Sequence, residues 1–439
     1  MQYASSNRAT GRNEARGELV TDGVTEGLHD PPGKHERPAA GDGDKTTTSV
    51  VAPQQVHTDA SEATAANARP RAVLLGSDEL SSQLAIALRR LGAVVTALDE
   101  YPDAPGKLSA LIGGLQPDFL VSLADAISDD ALDALGGGEF IELVPSARSV
   151  RITRDLEGLR RLAADQLGLP TAPFWFVGSV GELKAVAVHA GYPLLVKPVT
   201  GVAGQGQSVV AGPGDTEAAW QRAVGHQTGA AQPRALAETV VEVESFVTLL
   251  AVCSDGPKGP LIEFCPPIGH RDADGDVLES WQPQKMSAAA LDAAKSIAAR
   301  IVKALGGRGV FAVELMINGD EVYFADVTAS PRDSAWVTVC SQRLSAFDLQ
   351  ARAILGLPVD TVMISPGAAR LISAGHTGAA APSVPSAEAL TAALGVPESD
   401  IQLFGSAGGV ALATAPEVAT ARDRAREVAA ALDMRDSRG

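Results

Sequence analysis

Residues 310–327 read VFAVELMINGDEVYFADV, and they set the terms for the rest of the chain. Two apolar runs flank Asn318-Gly319, and Asn-Gly between alternating hydrophobics is a strong hairpin signal. Each run holds one acid in apolar company, Glu314 on the first and Asp326 on the second. A carboxylate set in a core is costly unless it is paired or bound to a cation. Two on neighbouring strands suggest a shared ion. Oxygen-only ligation favours Mg2+, which keeps several waters and holds substrate phosphates. Register tests this idea, because side chains alternate faces with period two. A two-residue loop at Asn318-Gly319 sets Ile317 opposite Asp320 and Glu314 opposite Tyr323, turning Asp326 to the other face. A three-residue loop with Gly319 in a bulge sets Glu314 opposite Phe324 and brings Asp326 to the same face. The metal reading requires the bulged form. The plainer reading pairs Glu314 with an arginine such as Arg332, and both stand at this point.

A chain of 439 residues suggests about two to four domains with ample core. Its formal net charge of -17 argues against nucleic acid as a general partner, since phosphate backbones need a basic surface. A small anion in a local basic pocket remains compatible with that charge. Cys253, Cys265 and Cys340 show neither metal spacing nor a disulfide framework, and read as buried small hydrophobes in a reducing cytosol. No apolar run is long enough to span a bilayer, and no signal-peptide pattern occurs, so a cytoplasmic protein without a membrane partner is expected. Residues 1–70 hold no Ile, Phe, Trp or Cys and one aromatic, Tyr3. Such a segment cannot offset its ordering entropy by burial and is expected to be disordered.

From Arg71 the pattern alternates. RAVLLG reads as a strand, SDELSSQLAIALRRLG as an amphipathic helix and AVVTALD as a parallel partner strand. KLSALIGGL, DFLVSL, DDALDAL and FIELVP continue the series. Doubly wound sheets bind ligands at the carboxyl ends of their strands, the first of which is Gly76-Ser77-Asp78-Glu79-Leu80. It lacks GxGxxG, so a dinucleotide is not expected. Asp78 and Glu79 also suit simple helix capping. A helix over Asp155 to Leu167, the strand PFWFVG, a helix from Val180 to Ala190 and the strand YPLLVKPV follow. Lys197 ends that strand, and the Gly-rich turn GVAGQGQSVVA comes next, able to offer backbone N–H groups to phosphates. RALAETVVEVESFVTLLAVC reads as strand, connection, strand, with Glu238 able to accept from a base amino group or a ribose hydroxyl. PPIGHRDADGDVLESWQPQKM reads as an ordered functional loop. A helix from Ala288 to Leu305 leads into the hairpin. TASPRDSAW then brings Arg332 and Asp333 near the supposed metal, ahead of a helix over Ala346 to Leu355. GAARLISAG, a helix over Ser386 to Leu394, IQLFG, GVALATA and a helix over Pro416 to Leu432 close the chain as a small α+β unit.

Together, GLRRLAADQLGLPTAPF, GHRDADGDVLESWQPQ, VKALGGRGVFAVEL and GDEVYFADV resemble the formate-dependent phosphoribosylglycinamide formyltransferases of the ATP-grasp superfamily, over about Arg71 to Leu432. The resemblance implies a Rossmann-like preATP-grasp domain (71–152), an ATP-grasp domain holding ATP between two sheets (153–362) and a small C-terminal domain (363–435). It implies an enzyme of purine biosynthesis. Formate attacks the γ-phosphate of ATP to give formyl phosphate, and the amine of glycinamide ribonucleotide then displaces phosphate. By position, Lys197 and Asp333 stand at catalytic positions. ATP binding falls to Arg154, Lys197, Val202, Ala203, Gly204, Gln205, Gly206 and Gln207, with Glu238, Thr239, Val240 and Val241 at the adenine. Glu79, Leu80 and Asp333 face the ribonucleotide, Glu314 and Asp326 hold Mg2+, and a homodimer is implied. Several positions depart from the family pattern. Gln205 replaces a lysine, Leu156 an ATP-contacting arginine with Arg154 nearby, Phe246 an acid for the ATP ribose and Leu123 an acid for the acceptor. Between LFG and GVALATA only Ser406-Ala407-Gly408 remains where a basic cluster binds the acceptor phosphate. These departures leave two alternatives in view: an ATP-grasp carboxylate-amine ligase with a changed acceptor, and a non-catalytic nucleotide-binding homologue.

Overall fold

A computed structural model describes residues 69–432 apart from 77, 103, 123–126, 137–140, 201–205, 227–231, 257–258, 274–276, 374–384 and 405–407. The tail expected to be disordered therefore lies outside the described residues except at Arg69 and Pro70. So do Val202, Ala203, Gly204 and Gln205 of the phosphate loop, Leu123, and most of the Ser406-Ala407-Gly408 segment. The described residues all belong to one unit, Thr64–Gly439.

The alternating front of the chain forms a parallel sheet. Its strands are β1 (Arg71–Leu75), β2 (Val94–Leu98), β3 (Phe119–Ser122) and β4 (Glu142–Leu143), in the order β2-β1-β3-β4. Parallel neighbours need crossovers, and amphipathic helices supply them. The helix Glu79–Arg90 starts at Asp78, whose side chain accepts from the Ser81 amide at 2.8 Å. In this part of the chain one helix was not evident in the sequence: Ala147–Arg154, whose polar, β-branched ARSVRITR carries little helical signal.

A second, antiparallel sheet contains β5 (Phe174–Val177), β6 (Leu194–Pro198), β7 (Ser208–Val210) and β8 (Ala235–Thr239), ordered β5-β8-β6-β7. Helix Val180–Ala190 matches expectation, whereas Thr216–Gly225 is a helix that the pattern did not announce. The expected helix over Asp155 to Leu167 is two pieces, Leu156–Arg161 and a π-helical turn Leu162–Gln166. Such turns favour functional sites.

The third sheet is the largest, with nine strands. These are β9 (Ser245–Gly256), β10 (Gly259–Phe264), β11 (Ile268–Ala273), β12 (Val277–Gln282), β13 (Gly309–Asn318), β14 (Glu321–Thr328), β15 (Gly367–Ser373), β16 (Ser399–Leu403) and β17 (Gly408–Thr414). They run β14-β13-β9-β11-β12-β15-β17-β16, with β10 on β9, and every pairing is antiparallel. The expected functional loop around GHRDADGDVLESWQPQ is thus a correction: it is the β11-β12 hairpin in the middle of this sheet. Its charged side chains hid the alternation, because Glu279 pairs both with Arg271 across the hairpin and with Arg422 and Arg426 far along the chain.

The hairpin register also differs from both sequence schemes. The turn is Gly319-Asp320, with Gly319 at φ +59, and Asn318 faces Glu321. Leu315 faces Phe324, and one extra residue, Ala325, then shifts the ladder so that Glu314 faces Asp326 directly. The bulge sits inside the strand rather than at Gly319. Packing explains it. Val322, Phe324 and Val327 all enter one core with Leu315 and Val313, against Ile297, Ile301 and Leu305 of the helix Ala288–Leu305. Strict alternation would turn Val327 outward, and fully burying one such side chain contributes about 1.5–3 kcal/mol. The bulge keeps all three inside and aims Asp326 to the opposite face.

Candidate active site

Glu314 belongs to the row Val310, Ala312, Glu314, of which the first two join a core with Leu250, Val252, Trp336 and Phe347. Glu314 continues that row past the apolar layer. Thr248 is its register partner on β9. The Thr248 hydroxyl donates to the carboxylate at 3.0 and 3.1 Å and meets the Ser334 hydroxyl at 2.8 Å. His270 of β11 brings Nε2 to 2.8 Å from Glu314 Oε2. Glu314 is therefore held by Thr248 and His270. The pairing with Arg332 weighed from the sequence is not what holds it.

Asp326 faces Glu314 across the ladder and accepts from the Val327 amide at 2.8 Å. Burial pushes its carboxyl above the ordinary 3.8, and nearby Glu314 adds to this. The positive charges of Arg332 and Arg160 work in the other direction. Among the described residues, no group of three or more His, Cys, Asp or Glu could hold a metal ion. Two carboxylates on one face still fit Mg2+, which takes one or two acids and completes its shell with water and phosphate oxygens. His270 and Thr248 fix the orientation of one of them.

On the smaller antiparallel sheet, Lys197 and Glu238 come from neighbouring strands β6 and β8. Lys197 Nζ lies 2.7 Å from Glu238 Oε1. The buried Arg160 brings Nη2 to 2.8 Å from Glu238 Oε2. Arg160 was not singled out from the sequence. Its only signal there was a charge at a helix position whose neighbours Leu159 and Leu162 are buried. Past Glu238, Thr239, Val240 and Val241 leave the small sheet for the large one, and Val240 is nearly half exposed, as is Phe246 on β9. Gly206, at φ +71, closes against helix Thr216–Gly225, where a Cβ would come within 2.8 Å of His226. Gln207 follows it. Arg154 ends its helix and donates to the Ile127 carbonyl.

The third grouping lies at the carboxyl end of β1. Asp333 is open to solvent on one side, yet its carboxyl is pushed above the ordinary 3.8. Loss of water is the main cause and Asp78 and Glu79 contribute, against Arg332 and a hydrogen bond from Trp336. Asp78 and Glu79 thus lie near enough to act on the Asp333 carboxyl, and Leu80 follows them at the start of the same helix. Asp78, Leu80, Ser330, Pro331 and Gln350 line a small cavity here.

A family model of the ATP-grasp domain matches residues 162–347. A formate-dependent phosphoribosylglycinamide formyltransferase from Paraburkholderia xenovorans (strain LB400) is 42% identical over 388 residues, covering 82% of this chain and 95% of that protein. This chain belongs to the same family. As a formate-dependent phosphoribosylglycinamide formyltransferase family member, it is an ATP-grasp enzyme. The structure described as glycinamide-RNase-transformylase T from Mycobacterium tuberculosis superposes with a TM-score of 0.72 at 64% identity, covering 83% of this chain and 100% of that one. A carboxyaminoimidazole ribonucleotide synthase from Aspergillus clavatus, solved with ATP, gives 0.69 at 21% identity over 83% and 98% of the two chains, which is likeness of fold alone. In this formyltransferase, Cys253, Cys265 and Cys340 are free thiols, pushed up to about 12 by burial, that sit with the apolar cores rather than in the cleft.

Proposed function

We propose that this chain transfers formate to the amine of glycinamide ribonucleotide at the expense of ATP, in purine biosynthesis. The observation that carries the reading is Glu314 facing Asp326 on one sheet, with Arg160 joining that sheet to the pair of Glu238 and Lys197 on the other, in a chain of this family. A formate oxygen attacks the γ-phosphorus, the bond to the β,γ-bridging oxygen breaks, and ADP leaves. The amine nitrogen then attacks the formyl carbon, inorganic phosphate leaves, and the nitrogen sheds a proton. Two anions must meet in the first step, so the work is positioning and charge neutralisation. Mg2+, held by Glu314 and Asp326, would neutralise the phosphate oxygens and draw charge toward the leaving ADP. Lys197 binds the phosphates, Gly206 and Gln207 lie beside them, and Glu238 to Val241 border the adenine. Glu79 and Leu80 border the ribonucleotide. Asp333 accepts the proton released by the amine, a role its elevated carboxyl suits.

The divisions 71–152, 153–362 and 363–435, a homodimer and a cytoplasmic location complete this reading. Among the described residues no helix is long and apolar enough to cross a membrane. A second reading keeps ATP and Mg2+ but takes an acceptor amine without a phosphate. The acidic grouping of Asp78, Glu79 and Asp333 favours a cation there. The assay is formylated product and ADP from formate, Mg-ATP and glycinamide ribonucleotide, and the expected result is the two in equimolar amounts. ATP cleavage that ignores this acceptor and responds to other amines establishes the second reading instead.

A further inference from the structure

Arg160 is 1% exposed, the most buried charge beside the cleft, and the roles above leave it unused. It bridges two sheets. Nη2 reaches Glu238 Oε2 on β8 at 2.8 Å, and Nη1 lies 3.4 Å from the carbonyl of Phe324 on β14, two residues before Asp326. The guanidinium also lies 5.9 Å from the centre of the Phe174 ring. As a purely structural device it is a poor one, for its Nε–H is buried with no partner among the described residues. Buried polar groups are ordinarily satisfied, and a buried ion pair is weak evidence of stability.

The charge balance at Glu238 gives Arg160 a purpose. One buried carboxylate faces two cations, Arg160 on Oε2 and Lys197 on Oε1. Arg160 is sealed in, whereas the Lys197 side chain is 24% exposed. Without Arg160, Glu238 would depend on Lys197 alone, and a phosphate could take the lysine only by leaving a bare buried carboxylate behind. With Arg160 present, Glu238 stays neutralised when Lys197 turns away. We propose that Arg160 is a positioning residue that releases Lys197 for the nucleotide phosphates by holding the charge of Glu238 in its place. The inference rests on the assignment of Lys197 to phosphate binding.

The test is calorimetric titration of wild-type, Arg160→Met and Arg160→Lys chains with Mg-ATP and, separately, with adenosine. A charge-assisted hydrogen bond contributes roughly 1.5–3 kcal/mol, so Arg160→Met is expected to weaken Mg-ATP by about ten- to a hundredfold. Adenosine affinity falls far less, because adenosine has no phosphate for Lys197 to meet and only the adenine edge borders Glu238. Arg160→Lys restores most of the Mg-ATP affinity, since it keeps the charge beside Glu238. Equal losses for Mg-ATP and adenosine, or no loss for either, overturn the inference. Should Arg160→Met fail to fold, Arg160→Gln, which keeps a donor for Glu238 but no charge, carries the same test. A wild-type chain that binds no Mg-ATP refutes the proposed function itself, a result distinct from a normal wild type beside an unaffected Arg160→Met.

Discussion

Carboxylates are handled in two opposite ways in this molecule. On β12, Glu279 is fully buried, and arginines surround it. Arg422 reaches it through Nε at 2.9 Å and Nη2 at 3.1 Å, Arg271 through Nε at 2.9 Å and Arg426 at 3.3 Å. Arg422 also stacks 3.9 Å from the centre of the Trp281 ring. Burial alone would raise the Glu279 carboxyl. The hydrogen bonds and charges of Arg422 and Arg271 overcome that and hold it at about 2, below the ordinary 4.5. Thus the β11-β12 hairpin is tied to the C-terminal helix Val418–Leu432. Half-buried Asp326 and solvent-exposed Asp333 shift the other way, because the nearby charge of Arg332 does not offset the water their carboxyls have lost. A fold that can surround one acid with arginines leaves these two short of positive charge. That deficit is what an incoming cation or a proton can fill, and it separates a structural carboxylate from a functional one.

The contrast breaks most sharply at the metal pair. Glu314→Gln and Asp326→Asn are each expected to lower ATP-dependent formyl transfer by about a thousandfold or more, since charge stabilisation of the phosphoryl step is a dominant contribution. Steady-state assay across Mg2+ concentration checks this. Recovery of the full wild-type rate at high Mg2+ in both variants would move the metal elsewhere. At Glu279 the loss is of stability instead. Glu279→Gln leaves three arginines facing a neutral amide, and breaking a buried ion pair costs about 3–5 kcal/mol. The stabilisation belongs to the ionised form. It is fully present above pH 4.5 and is lost as pH falls from there toward about 2. Thermal unfolding of the two chains should therefore differ widely at neutral pH and converge in acid, while Mg-ATP affinity of the folded variant stays at the wild-type value.

The sequence exposed the two kinds of acid unequally. Glu314 and Asp326 stood out because each interrupts an apolar strand, and the parallel sheet followed from alternating strand and helix signals. The bulge at Ala325 did leave a trace, the apolar spacing Val322, Phe324, Val327, but its weight depends on the helix Ala288–Leu305 lying against that face. Glu279 was invisible as a buried charge, for Arg422 and Arg426 lie 143 and 147 residues away in the chain. Arg160 and Glu238 are 78 residues apart, and nothing local marks either as half of a pair. Local pattern reports strands, helices and odd residues. The compensating charge of a buried group comes through tertiary contacts that pattern does not contain.

The smallest expected effect sharpens the comparison furthest, because it has the opposite sign. The folded chain holds the Asp326 carboxyl above its ordinary 3.8, so between those two values the folded state keeps a proton that the unfolded chain has released. Stability then falls as pH rises through that window. Asp326→Asn removes the charge yet keeps an oxygen for the Val327 amide, which lies 2.8 Å from Oδ1. The variant is expected to unfold at a higher temperature than wild type at neutral pH, each tenfold difference in proton affinity between the folded and unfolded chains being worth about 1.4 kcal/mol. The advantage shrinks as pH approaches the ordinary carboxylate range. Saturating Mg-ATP should narrow the gap from the other side, by stabilising wild type through the site that the variant has lost. A variant less stable than wild type at neutral pH would mean that Asp326 is already compensated within the fold, as Glu279 is, and that the cleft carries no unmet demand for a cation at this residue.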